Sequence, residues 1–220
     1  MLYELQSVSV IFGNKLPALD HVNLEIPAGG TVIISGNTGA GKTTLLKLLH
    51  TELNPGMGKI YFKKHEIITF NRRTKRLIRQ ISGMIYQDPK FIDDLNCYDN
   101  VMIPMILNGN SREKAHENCL NIMLKLGISY LRTKMPYELS LGEQKLVSAA
   151  RGLVHRPEII LADEPTENFD RKSKEALFSV FKDASARGAT LVIASNDELL
   201  HSTFKNAQKF YISDGKLIQR

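Results

Sequence analysis

A chain of 220 residues can bury a full core as one domain. Hydrophobic content of 43% and charged content of 24% are ordinary for a soluble globular protein, and no run approaches the roughly 18 apolar residues that a membrane-spanning helix needs. The formal charge is +6, with the excess concentrated in one stretch rather than spread evenly.

The N-terminal "MLYELQSVSV" carries Glu4 and alternates like a strand, without the basic-then-apolar pattern of a secretion leader. "YELQSVSVIF" and "HVNLEI" read as short strands separated by Gly13-Asn14 and closed by "PAGG". An apolar, β-rich "TVIIS" then runs directly into glycines and a helical pattern, "KTTLLKLLH". Between Lys63 and Arg79 lie seven Lys or Arg against one Glu. That stretch reads either as a solvated face or as a surface attracted to anions such as an inner membrane leaflet. It lacks the interleaved aromatics of single-strand binders, so no nucleic acid partner is expected.

The most apolar run, "VMIPMIL" at 101–107, is short and broken by Pro104. Segment 111–126 reads as a helix with Ser111 as N-cap and Ala115, Cys119, Ile122, Met123 and Leu126 on one face, closed by Gly127. "EIILAD" and "ATLVIAS" are continuous apolar runs of strand length with a helical pattern, 171–186, between them. Strands apolar on both faces and alternating with helices predict a parallel sheet covered by helices. The helix-rich middle, about 88–153, is expected to form a lobe of its own beside a core of about 1–87 and 154–220. Cys97 and Cys119 lack metal-ligand spacing and read as free thiols of a reducing cytosol.

"GNTGAGKTT" fits G-x-x-x-x-G-K-[ST] after a strand and opening a helix. Across Gly36, Asn37, Thr38, Gly39, Ala40, Gly41, Lys42, Thr43 and Thr44, the glycines let successive N–H groups curl toward a polyphosphate, aided by the positive end of the helix. Lys42 offers a point charge to the β- and γ-phosphates, and Thr43 a hydroxyl to Mg²⁺. "IILADEP" ends a strand with two acids: Asp163 is placed for the Mg²⁺ shell, and Glu164 to polarise a water for attack on the γ-phosphorus. The expected cofactors are ATP and Mg²⁺.

Phosphate loop, then the glutamine of "GMIYQD", then "LSLGEQ", then "ILADEPTENFD": in that order and spacing the chain resembles the ATP-binding-cassette ATPases over essentially its whole length. The resemblance implies an α/β fold: a single P-loop NTPase domain of the cassette type, with an N-terminal antiparallel β subdomain and a helical subdomain. It implies that Ser140, Gly142 and Glu143 of the signature turn cap the nucleotide held by Lys42 of another copy, in an ATP-dependent head-to-tail homodimer. Phe12 matches the aromatic that stacks on adenine, Gln87 the glutamine that senses Mg²⁺ and γ-phosphate, and Asp170 the loop that crosses the dimer.

Three positions depart from that pattern. Leu141 replaces the first signature glycine, at a cost of roughly 1–2 kcal/mol if φ must be positive there. Asn196 stands where the family has its switch histidine; it can donate to a phosphate but cannot carry a proton. Gln144-Lys145-Leu146 lacks the usual arginine. Normal nucleotide binding with slow hydrolysis in isolation is the expectation, and His201, nearby, reads as a surface helix residue.

"YDNVMIPMIL" and "ADEPTENFD" further resemble the FtsE branch of cell-division cassette ATPases. That implies a subunit peripheral to the cytoplasmic face of the inner membrane, working with an FtsX-like integral membrane partner to signal to cell-wall hydrolases. The partner's cytoplasmic helix would dock in a groove around Gln87 to Met105. Lipoprotein-release and macrolide-export ATPases share the short length and acidic motif and stand as the alternative, with a nucleotide-gated interaction module of slow or absent hydrolysis beside them.

Overall fold

Two sheets organise the computed structural model, which describes residues 1–13 and 16–219. Asn14 of the expected Gly13-Asn14 turn lies outside the described residues. The N-terminal antiparallel sheet has the order β2-β1-β4-β5, from β1 (Tyr3–Val10), β2 (Leu19–Ile26), β4 (Met57–Phe62) and β5 (His65–Glu66). The second sheet has the order β10-β9-β3-β8-β7-β6. It comprises β3 (Thr31–Gly36), β6 (Ser82–Ile85), β7 (Ile159–Asp163), β8 (Thr190–Ala194), β9 (Gln208–Ser213) and β10 (Lys216–Gln219). All its pairings are parallel except the edge pair of β10 with β9. The described residues also form seven α-helices: α1 (Lys42–Leu49), α2 (Arg72–Ile81), α3 (Cys97–Leu107), α4 (Arg112–Lys125), α5 (Leu141–Leu153), α6 (Arg171–Ala186) and α7 (Glu198–Thr203).

The apolar strands serve two cores at once. Side chains alternate across a strand, and Ile33, Ile160, Ala162, Leu191 and Ile193 face a core built with α3, α4, α5 and α6. Their neighbours Val32, Ile34, Ile159, Leu161, Val192 and Ala194 face the other, shared with α1 and the N-terminal sheet. A polar residue in the middle of β3, β7 or β8 would meet hydrocarbon on either face, which is why these runs read as continuous. Their C-terminal ends carry Gly36, Asp163 and Asn196, the place where open parallel sheets hold ligands.

β1 departs from the simple alternation. Its register against both neighbours shifts between Leu5 and Ser9, where Ser7 has φ 48°. The extra residue of this bulge moves the inward set from Tyr3 and Leu5 to Val8 and Val10. The strand stops at Val10, so Ile11 and Phe12, included in the sequence-based strand, are exposed beyond it.

α4 spans nearly the expected segment: Ser111 accepts from the Lys114 N–H, all five expected face residues are buried, and Gly127 follows at φ 70°. α3 continues through Pro104, unlike the break its apolar run suggested. Buried Asn100 secures the entry to that helix, its amide donating to the carbonyls of Ile92, Leu95 and Asn96 and its oxygen accepting from the Ile92 N–H. Cys97 and Cys119 are buried free thiols, and burial pushes Cys119 up to about 12.

After α1, Glu52 accepts from Tyr86 and lies 2.7 Å from His50 Nδ1. The His50 hydrogen bond foremost, against a burial penalty, lowers its carboxyl to about 2. A depressed acid contributes stability above its unfolded value of about 4.3 and loses it as pH falls toward the folded value. The thermal midpoint is therefore expected to fall more steeply between those two pH values in the native chain than in Glu52→Gln. Parallel melting series in that window check it.

Candidate nucleotide site

The turn between β3 and α1 is shaped by glycine. Gly36 and Gly41 leave no room for a side chain: a Cβ would sit 2.4 Å from the Ile212 carbonyl oxygen at the first and 2.2 Å from that of Ala18 at the second. Gly41, at φ 111°, also opens α1, so the helix's first free N–H groups face the turn. A cleft of about 230 Å³ lies over it. Asn37, Thr38, Gly39, Gly41, Lys42, Thr43 and Thr44 line it from below, with Asp163, Glu164 and Gln87 on one side and Phe12 and Ala18 on the other. Gly36 and Ala40 shape the turn without lining the cleft. Phe12 is 49% exposed, which excludes a strand-core role for it and leaves a ring face free at the rim.

Charges converge at the floor. Lys42 Nζ donates to the Gly36 carbonyl at 2.5 Å and lies 3.2 Å from Glu164 Oε1. Thr43 Oγ1 donates to Asp163 Oδ2 at 2.6 Å. Asp163 is 2% exposed, and burial pushes its carboxyl above the ordinary range despite Thr43 and Lys42, with neighbouring Glu164 adding to the rise. A buried carboxylate bonded to a hydroxyl, in a cleft that Gln87 also lines, is a hard-oxygen set that fits a magnesium ion. Glu164 follows the strand at φ 43°, its N–H donating to the Ala194 carbonyl at 2.9 Å. This left-handed backbone turns its carboxylate toward Lys42 instead of continuing the strand.

The signature turn lies elsewhere. Ser140, Gly142 and Glu143 do not line this cleft. Ser140 caps α5: its hydroxyl accepts from the Glu143 N–H, while its own N–H and hydroxyl donate to Glu143 Oε2 at 2.9 and 2.8 Å. These bonds hold the Glu143 carboxyl below its usual range, and Tyr130 donates to its other oxygen at 3.0 Å. Asp170, exposed, caps α6 by accepting from the Ser173 N–H at 2.7 Å. The "ABC transporter" family model matches residues 19–167.

The chain belongs to the ABC transporter family and is an ATP-binding-cassette ATPase. It is similar to the cell division ATP-binding protein FtsE of Escherichia coli, 34% identical over 98% of this chain and 97% of that protein. The lipoprotein-releasing system ATP-binding protein LolD of Rickettsia bellii is 37% identical over 86% of this chain and 85% of its own length. Among solved structures, the dimeric post-hydrolysis state of the ATP-binding cassette MJ0796 bound to ADP and Pi matches with TM-score 0.92 and 27% identity, covering 100% of this chain and 98% of that one. No helix among the described residues is long and apolar enough to cross a membrane.

The cassette's departures from the family pattern now have geometry. Leu141 is the first residue of α5, without a positive φ and 67% exposed, so the leucine adds bulk without backbone strain. Asn196 is tied to the phosphate turn by two bonds, its oxygen accepting from the Gly36 N–H at 3.0 Å and its amide donating to the Gly36 carbonyl at 2.9 Å. Asn196→Ala is expected to cost about 1 kcal/mol of stability by removing the partner of the Gly36 N–H, while the carbonyl keeps Lys42, read as a lowered thermal midpoint without nucleotide. His201 is not the surface residue that its helical position suggested. It is half-buried, with Nε2 3.1 Å from Ser35 Oγ and 3.3 Å from the Ser195 carbonyl, beneath the turn rather than in the cleft.

Glu167 and its pairing escaped sequence reading. Glu167 pairs with the buried Lys145 of α5 at 2.5 Å, and also hydrogen-bonds Gln87. Lys145 first, and Gln87 to a smaller extent, hold the Glu167 carboxyl below its usual range. The position beside a phosphate loop's acids was the available signal; the pairing across the fold had none.

A second concavity of about 420 Å³ lies between α2, α3 and the end of α5, lined by Arg76, Arg79, Tyr86, Pro104, Leu107, Arg151 and His155 among others. It shares Pro104 with the stretch from Gln87 to Met105 expected to hold a docking groove, and its other lining residues lie outside that stretch. Gln87 faces the nucleotide cleft instead, and Met105 is 1% exposed in the core.

Proposed function

We propose that this chain is an FtsE-like subunit that couples ATP-driven closure of a head-to-tail homodimer to an FtsX-like integral membrane partner, signalling to cell-wall hydrolases from the cytoplasmic face of the inner membrane. The observation that carries the reading is the groove between α2 and α3, with 66%-exposed Leu107 on one wall and arginines on the other. It offers an amphipathic helix a surface separate from the nucleotide cleft, on a chain similar to FtsE from end to end. The helix-rich segment of about 88–153 is the lobe that carries this groove's apolar wall and the signature turn.

Within each site, Lys42 holds the β- and γ-phosphates, Phe12 stacks on the base, and Glu164 takes the proton of the attacking water. Thr43, Asp163 and Gln87 hold Mg²⁺, which when bound neutralises phosphate charge. Ser140 and the Gly142 N–H close the site of the second copy. Asn196, occupied on both its polar atoms by Gly36, cannot carry a proton, so turnover is slow until a membrane partner engages. Turnover of tens per second by the purified chain alone would refute this point.

The test is co-purification from membranes with a tagged copy, repeated with Leu107→Asp. One integral membrane protein should be retained by the native chain and lost by the variant, and depletion should produce undivided cells. The similarity to LolD favours a second reading, a lipoprotein-release ATPase. Depletion would then leave lipoproteins in the inner membrane while division proceeds.

A further inference from the structure

α2 carries Arg72, Arg73, Lys75, Arg76 and Arg79 in ten residues with no acid among them. Arg72 and Arg73 stand in its first turn, where the positive end of the helix dipole opposes cations. Within the fold the charge finds little compensation. Among the described residues, none of Arg72, Arg73, Arg76 and Arg79 belongs to an ion pair. Lys75 donates to the Asn54 side chain at 2.8 Å, and Arg79 reaches only the Thr51 carbonyl at 3.5 Å. Ile78 is the helix's single buried residue. Leu77, four residues after Arg73 and next to Arg76, is 54% exposed on the outer side. Neither helix stability nor packing selects this composition, and an external anion would complement it.

The kind of anion follows from the surroundings. An exposed leucine among arginines matches a helix lying in a headgroup layer, with cations at the phosphates and a short apolar side chain below them. Phe70, the aromatic just before the helix, packs against the core and offers no stacking face to a base. The same helix supplies Arg76, Arg79 and Gln80 to the groove assigned above to a membrane protein, so its outer face is set beside a bilayer whenever that groove is filled. This last step rests on the proposed docking; the charge and the exposed leucine do not.

We propose that the outer face of α2 binds the anionic phospholipid headgroups of a bilayer directly, Arg72 and Arg73 contacting phosphates and Leu77 entering the interface. Contact with lipid and docking of a protein in the groove are then two separate attachments of one subunit.

Sedimentation of the purified full chain with vesicles tests the lipid contact without any membrane protein, so its failure and that of the docking reading are distinguishable. The chain should bind vesicles of phosphatidylcholine mixed with phosphatidylglycerol, release them as salt is raised, and ignore phosphatidylcholine alone. Arg72→Glu/Arg73→Glu should lower vesicle affinity at least about 100-fold, given the few-fold worth of each basic residue near an anionic surface. Its ATP turnover in solution should stay unchanged. The milder Arg72→Gln/Arg73→Gln should lose about 10-fold, and Leu77→Ser a smaller amount at constant salt dependence. Equal binding to neutral vesicles, no binding to either kind, undiminished binding by the variants, or preferential binding of an RNA duplex that displaces the vesicles would each overturn the proposal.

Discussion

Replacing Glu164 with glutamine is expected to lower ATP turnover by about 10²–10⁴-fold, the usual worth of a positioned general base, while ATP still binds. The substitution keeps the size and shape of a side chain that is 20% exposed and sits 3.2 Å from Lys42 Nζ. It also keeps the backbone bond from residue 164 to the Ala194 carbonyl, which the left-handed φ of 43° requires. What it removes is a charge and a proton acceptor. Lys42 loses the carboxylate that competes with the phosphates for its charge, so ATP affinity should hold or rise. Phosphate release and gel filtration in ATP check the two halves: turnover collapses, and an ATP-loaded dimer persists. Unchanged turnover would remove Glu164 as the base and leave the water to another group.

How much of this was legible depended on periodicity and range. The 171–186 pattern coincides with α6, and 111–126 lies within a residue or so of α4 and its cap, because apolar residues recur there at helical spacing. α2 left no such trace, since it buries Ile78 alone, and its polar composition read as surface without saying which element carried it. The phosphate turn was readable because glycine, lysine and threonine act through local backbone geometry. The signature was read as a turn when it is a helix start; Ser140 with Glu143 three residues on is a capping box. The left-handed backbone of Glu164, the bulge at Ser7 and the Lys145–Glu167–Gln87 connection depend on contacts between distant segments, which no local pattern encodes.

Mixing two inactive variants is expected to restore activity. Lys42→Ala removes the charge that holds the terminal phosphates. Ser140→Asp keeps a good helix cap but, on the proposed pairing, sets a carboxylate against the γ-phosphate of another copy. Each alone should lose at least about 100-fold in turnover, as electrostatic donors at a reacting phosphate usually cost when removed. In a head-to-tail pair of one variant with the other, one site combines both lesions and the second combines neither. Random pairing makes half the dimers mixed, each with one sound site of two, so an equal mixture should regain roughly a quarter of native turnover. On the proposed head-to-tail pairing, the Ser140 turn, absent from its own chain's cleft, contributes to catalysis in this way. Labelled copies followed by gel filtration in ATP separate failed pairing from failed chemistry. A mixed dimer that forms and stays silent would show that the two sites must fire together.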